Sequence, residues 1–285
     1  PLFEVSEHLL LRADNLEILK SYKQLATTSY SNGKSTMTDV LRVDIMIDDI
    51  ETEIEILSKN LAPLQVSFNR ILNRADSTQI FFSEKLELIE TDLTVNLDSL
   101  IALNPTINSI DSRIKSMEAS EAIARKNGLP KIGLGLDYAF INERTDVDVP
   151  NNGQDAFMPM ISFTVPIYRG KNNSEIKEAQ ILQTSLSQRR LMVENTIVSS
   201  YEQTLFEIEK TKQLILLYEE QIEKTNQVIR ILYTEYGNSG KDFEEVLRMQ
   251  QKLLAYEMAK STALKDHSIS NARLEYITSK TEKYN

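Results

Sequence analysis

The segment Lys131–Ile–Gly–Leu–Gly–Leu–Asp–Tyr–Ala–Phe140 alternates with a period of two. Ile132, Leu134, Leu136, Tyr138 and Phe140 fall on one face of a strand, and Lys131, Gly133, Gly135, Asp137 and Ala139 on the other. A polar loop follows over residues 142–155, and then the alternation resumes in Phe157–Met–Pro–Met–Ile–Ser–Phe–Thr–Val–Pro–Ile167. Phe157, Ile161, Phe163, Val165 and Ile167 oppose Met158, Met160, Ser162 and Thr164. The pattern predicts a β-hairpin over 131–168 with one apolar face and one small or polar face. A lone two-stranded hairpin is marginal in water. Ten or eleven residues per strand is the length that crosses a bilayer at a tilt, and alternation of this kind marks the wall of a transmembrane β-barrel. A strand pair resting its apolar face on a soluble helical core carries the same pattern.

Outward from the hairpin the period changes to that of a helix. Between Ser174 and Tyr236 there is neither Gly nor Pro. Ile176, Ala179, Leu182, Leu186, Val193, Ile197, Tyr201, Leu205, Ile208, Ile215, Ile222 and Ile229 recur at gaps of threes, fours and sevens. The 63 residues of 174–236 would form a rod of about 95 Å, a length suited to a coiled coil or a tubular assembly. A second helix is expected over 242–278, and the Gly-containing break between them favours an antiparallel hairpin. Asn104–Pro105 reads as a helix start, because Asn caps well and Pro suits the first turn. That helix spans 104–127 and is closed by Gly128. Nearer the start, helices over 2–29 and 37–60 flank a tip at Gly33, Pro63 interrupts the second, and a short helix runs to 74. A further amphipathic stretch covers 84–103.

Displacing the chain against itself by 206 residues reveals an internal repeat. Leu10–Leu11 meets Leu216–Leu217, Tyr30 meets Tyr236, Asn32 meets Asn238, and Val40–Leu41–Arg42 meets Val246–Leu247–Arg248. A repeat this long points to duplication rather than to a solenoid period.

Composition narrows the chemistry. The 285 residues are 41% hydrophobic and 26% charged, with a net charge of −10 that argues against nucleic acid as a partner. Cysteine is absent, which removes thiol and disulfide chemistry. His8 and His267 stand on helices without a carboxylate constellation and read as surface or packing residues. The acidic run of Asp44, Asp48, Asp49, Glu51, Glu53 and Glu55 reads as a solvated helix face. Phosphate-binding loops, nucleophile elbows and HExxH motifs are missing, so neither a catalytic residue, a metal ligand nor a cofactor is assigned, and an enzyme is not expected.

Four motifs in order resemble the TolC-like outer-membrane efflux proteins. They are Leu100–Ile–Ala–Leu–Asn104–Pro105 before a helix, Ala124–Arg125–Lys–Asn–Gly–Leu129–Pro130 entering a strand, Phe163–Thr–Val–Pro166–Ile–Tyr168–Arg–Gly170 closing the hairpin, and the tip Tyr30–x–x–Gly33–x–Ser35–x–x–x–Asp39–Val40–Leu41. The second tip departs from the pattern, with Ser239 where glycine is expected. The resemblance implies a mainly α fold of long antiparallel coiled-coil helices with one β-hairpin. Three protomers then close an α-barrel and a transmembrane β-barrel. Residues 1–74 are a partial first repeat, 75–103 a linker or equatorial helix, and 104–285 the second repeat. The opening helix and hairpin of the first repeat are expected ahead of Pro1.

By the same resemblance the tips form a periplasmic gate, with Tyr30 and Asp39 in the first repeat and Tyr236, Lys241, Glu245 and Arg248 in the second. Arg248 occupies a position that is acidic in the family. Leu134, Leu136, Tyr138, Phe140, Ile161, Phe163 and Val165 would face outer-membrane lipid. The implied protein is a homotrimeric passive conduit in the outer membrane and periplasm of a Gram-negative bacterium. It would serve an inner-membrane pump through a periplasmic adaptor, in efflux or type I secretion. The competing reading is a soluble coiled-coil scaffold, periplasmic or cytosolic, without a transport role.

Overall fold

The computed structural model describes residues 1–81, 86–89, 96–143, 145–146, 150–239 and 242–278. Its elements in chain order are α1 (Leu2–Ser31), α2 (Met37–Ile71), α3 (Leu97–Leu103), α4 (Pro105–Asn127), β1 (Lys131–Ala139), β2 (Ala156–Thr164), α5 (Gly170–Ser239) and α6 (Phe243–Thr278). They fall into two compact units, one of residues 1–95 with 199–285, the other of residues 96–198. The fold class is the expected one: mainly helical, with a single two-stranded antiparallel sheet among the described residues.

In the first unit, α1, α2, α6 and the later part of α5 share an apolar core. Leu19, Val43 and Val246 are fully enclosed, joined by Tyr22, Ala26, Ile47, Tyr236, Phe243 and Leu247. Helical spacing places Leu19, Tyr22 and Ala26 on one stripe of α1, and Val40, Val43, Ile47 and Ile50 on one stripe of α2. The turn between α1 and α2 uses Gly33 at φ +69°, a left-handed conformation that carries no Cβ penalty there. The backbone N–H of Thr36 donates to Asp39 Oδ2 at 3.2 Å and helps cap the start of α2.

Three expected boundaries are corrected. The helix predicted to break at Pro63 continues to Ile71. Proline removes one hydrogen bond and crowds the preceding turn, at about 3 kcal/mol or more. The turns beyond it are tied down instead, since Gln65 Nε2 and Asn69 Nδ2 both donate to Thr78 O, at 2.8 and 2.9 Å. Asn69 Nδ2 also reaches Asp76 O, and Arg70 pairs with Asp76. The helix expected to stop at Tyr236 runs through Gly237 to Ser239, with Asp242 at φ +66° ahead of α6. Of the amphipathic stretch expected over 84–103, Leu97–Leu103 is helical and residues 86–89 are not, while 84–85 and 90–95 lie outside the described residues.

In the second unit, α4 packs against the beginning of α5. Asn104 Oδ1 accepts from Thr106 N at 2.9 Å, and Pro105 opens the helix, as the sequence predicts. Ile107, Ile110, Ala124 and Ala179 are buried. Polar pairs finish the seam. Arg190 bonds Asp111 at 2.8 Å, and Glu121 accepts from Arg125 and from Gln183 Nε2 and Gln180 Nε2, the latter two at 2.9 Å. Those three donors, Arg125 foremost, hold the Glu121 carboxyl down from 4.5 to about 2.

Candidate functional site

Two regions carry the residues singled out by the sequence. The first is the hairpin. β1 and β2 pair antiparallel from Lys131↔Thr164 to Ala139↔Ala156. This register sets Ile132 beside Phe163, Leu134 beside Ile161, Leu136 beside Pro159 and Tyr138 beside Phe157, all on one face. The other face carries Gly133 opposite Ser162, Gly135 opposite Met160 and Asp137 opposite Met158. A Cβ on Gly133 would lie 2.6 Å from Ser162 Oγ, so a side chain there would have to turn the Ser162 hydroxyl aside. The apolar face is open: Leu134 is 82% exposed and Ile161 77%.

Phe140 and Val165 flank the paired strands rather than lying within them. Past the Lys131↔Thr164 pair the next partner of Val165 would be Pro130, which has no N–H to give the ladder. At the other end Asp155 takes over. Its carboxylate accepts from Ile141 N at 3.0 Å and from the Tyr138 hydroxyl, closing the hairpin loop. Tyr138 and Phe140 meet edge to face, with ring centroids 5.5 Å apart.

The second region is the pair of helical tips. Tyr236 is buried at the end of α5 and stacks on Phe243 with centroids 4.4 Å apart, while Tyr22 of α1 meets Phe243 edge-on at 6.2 Å. Tyr30, its counterpart in the first repeat, is exposed. Asp39 takes part in capping α2. Glu245 pairs with Arg248 one turn along α6 at 2.5 Å. Arg42, the counterpart of Arg248, is committed elsewhere: it reaches across to Glu244 and ties α2 to α6. Lys241 lies outside the described residues.

The sequence reading missed a polar ladder beneath this tip. Gln250 Nε2 donates to Asn15 Oδ1 at 2.8 Å, and Gln250 Oε1 accepts from the Tyr22 hydroxyl at 3.4 Å, all three residues being buried. Burial, with Tyr233 nearby, pushes the Tyr22 hydroxyl up to about 12. Polar residues at seam positions of α1 and α6 were the available signal. His267 is a packing residue, as expected: fully buried, it lies 3.0 Å from Thr211 Oγ1 and 3.1 Å from Ile89 O. The acidic run of α2 is partly engaged with α1, through Lys23–Asp44 and Arg12–Glu53.

The profile of the family described as outer membrane efflux protein matches residues 96–279. The chain belongs to that family. The match spans the hairpin and both long helices of the second repeat. Among solved structures, a membrane protein from Pseudomonas aeruginosa superposes at a TM-score of 0.82 with 15% identity, covering 97% of this chain and 64% of that one. CusC, studied for folding and transmembrane channel formation, gives 0.81 with 14% identity, covering 97% and 65%. The outer membrane protein VceC from Vibrio cholerae gives 0.79 with 13% identity, covering 97% and 66%. At such identities the likeness establishes the fold, and this efflux protein chain spans about two thirds of the length of those three. No curated protein matches it in sequence. Membership places the efflux protein in the outer membrane and periplasm of a Gram-negative bacterium, within a family of channels rather than enzymes.

Proposed function

We propose that this chain is a subunit of a trimeric channel-tunnel that passively conducts substrates out of the cell, delivered by an inner-membrane pump through a periplasmic adaptor. The observation that carries this reading is the hairpin: strands of nine residues each, the length of a tilted bilayer crossing, with a continuous apolar face its own chain leaves uncovered. A soluble scaffold would leave that face in water, where exposed apolar patches promote aggregation. Energy and substrate choice would lie with the pump, since the chain offers a wall and a gate rather than a reaction site.

At the gate, three copies of an acidic residue around a threefold axis would favour cations. The two candidate rings are unequal. Glu245 shares its charge with Arg248 on the same helix, whereas the equivalent Arg42 is drawn away from Asp39 to Glu244. Asp39 is therefore the stronger selectivity determinant. Tyr30, Tyr236 and Lys241 would order the tips around it. Single-channel recording in planar bilayers tests this. Asp39→Asn should lower cation over anion preference more than Glu245→Gln. Unchanged selectivity in both variants would remove the ring, and absence of conductance in the parent protein would remove the channel.

A further inference from the structure

Charge is sorted along the hairpin. At the end where the strands meet the helices, residues 125–131 and 168–177 carry Arg125, Lys126, Lys131, Arg169, Lys171 and Lys177 against the single acid Glu175. At the far end, residues 142–155 carry Glu143, Asp146, Asp148 and Asp155 against the single base Arg144. The chain as a whole has a net charge of −10, so the positive collar at the helical end runs against its composition.

The fold gathers the collar within one unit. Asn172 at the start of α5 lies against Gly128 at the end of α4, its Nδ2 3.1 Å from where a Cβ on that glycine would stand. Lys131 then opens β1, paired with Thr164. All six cations are exposed. Arg125 pairs with Glu121 at 2.6 Å, and Lys171 only loosely with Glu175 at 3.9 Å. Lys126, Lys131, Arg169 and Lys177 have no acidic partner among the described residues. Helix electrostatics account for part of this cluster. Arg125 and Lys126 lie in the last turn of α4, where the dipole favours cations. The start of α5 is the opposite case: its first turn has no acidic residue and holds Lys171, with Arg169 just ahead of it. Cations there face the positive end of the dipole. Local folding gives no reason for them, whereas an external anion does. Beside them Ile167 and Tyr168 are 83% and 91% exposed, and an aromatic ring of this kind favours the boundary between acyl chains and head groups.

We infer that this collar binds the phosphate groups of anionic glycerophospholipids in the membrane leaflet that faces the helices, holding the hairpin at a fixed depth. The inference rests on the channel reading, which puts the apolar face of the strands in lipid, and adds to it a head-group class and the residues that hold it. Each Lys or Arg close to an anionic surface contributes about fivefold to lipid partition, less as salt rises.

The test is a lipid titration of the detergent-solubilised protein read by native mass spectrometry. The parent protein should bind phosphatidylglycerol about tenfold or more tightly than phosphatidylethanolamine, and the preference should shrink as ammonium acetate rises. Lys131→Gln with Arg169→Gln and Lys171→Gln should weaken phosphatidylglycerol binding by about a hundredfold. Removing three cations from the other unit, Lys224→Gln with Arg230→Gln and Lys252→Gln, should leave it unchanged. Inorganic phosphate should not compete at millimolar concentration, because it brings no acyl chains to Ile167 and Tyr168; competition would overturn the lipid as the ligand. Equal binding of both lipids by the parent, or equal binding of phosphatidylglycerol by the two triple variants, would overturn the collar, and conductance in planar bilayers would still leave the channel standing. Protein that binds neither lipid and is absent from outer membranes would overturn both.

Discussion

Leu19, Val43 and Val246 in the helical bundle are wholly enclosed by their own chain, whereas Leu134 and Ile161 in the hairpin, equally apolar, remain more than three-quarters exposed. Both regions are two-element hairpins with one greasy face. A helix satisfies its own backbone and needs only a neighbour for its stripe, and α1, α2, α5 and α6 provide neighbours for one another. Two strands satisfy half of each other's backbone groups and leave two open edges and an uncovered face. The bundle's surroundings are therefore largely internal, whereas under the proposed function the hairpin's would be lipid and further strands.

The largest effect should come from the internal side of this comparison. Phe243→Ala removes the ring stacked on Tyr236 and should cost about 3–5 kcal/mol. Thermal denaturation followed by circular dichroism should register it, and a loss below about 1 kcal/mol would mean the tip is not packed as described. On the external side, Leu134→Arg should cost about 2–4 kcal/mol if its position is near the bilayer midplane. The expected readout is a reduced fraction of protein assembled in the outer membrane, with Ser162→Ala on the opposite face nearly neutral; equal effects on both faces would break the lipid assignment.

Asn104→Ala should cost about 1 kcal/mol by uncapping α4. It affects a helix that starts ahead of the hairpin, so assembly should respond less than to Leu134→Arg. Glu121 gives the smallest and most selective effect. Its carboxyl is lowered from 4.5 to about 2, so its contribution is complete above about pH 4.5 and is lost as pH falls through about 2. Glu121→Gln should flatten the acid limb of the stability profile in that window, lowering stability modestly above about pH 4.5 and converging on the parent protein below about pH 2. An unchanged acid limb would show that the Arg125, Gln183 and Gln180 contacts do not hold this carboxylate.

The period-two segment and the long Gly- and Pro-free helix were legible because each is a local pattern repeated over many residues. The cap at Asn104 and the turn at Gly33 were legible because single residue types there perform a local backbone task. Pro63 misled because the local penalty was opposed by Gln65 and Asn69 reaching residues 76 and 78, partners that no helix rule contains. The end of α5 misled for a similar reason: Tyr236 is held on Phe243, and the helix continues past Gly237.

Of the gate candidates, the sequence located Tyr30 and Tyr236 as equivalents, and by itself it determined the repeat, the helix and strand periods, the faces of the hairpin and the family motifs. All of these are properties of neighbours along the chain. Only the tertiary structure decided that equivalent residues have unequal surroundings: Tyr236 is buried and Tyr30 exposed, Arg248 serves Glu245 and Arg42 serves Glu244. The physical reason is that burial and ion pairing depend on which other helix arrives at a given face, and within this chain the two tips do not meet the same helices.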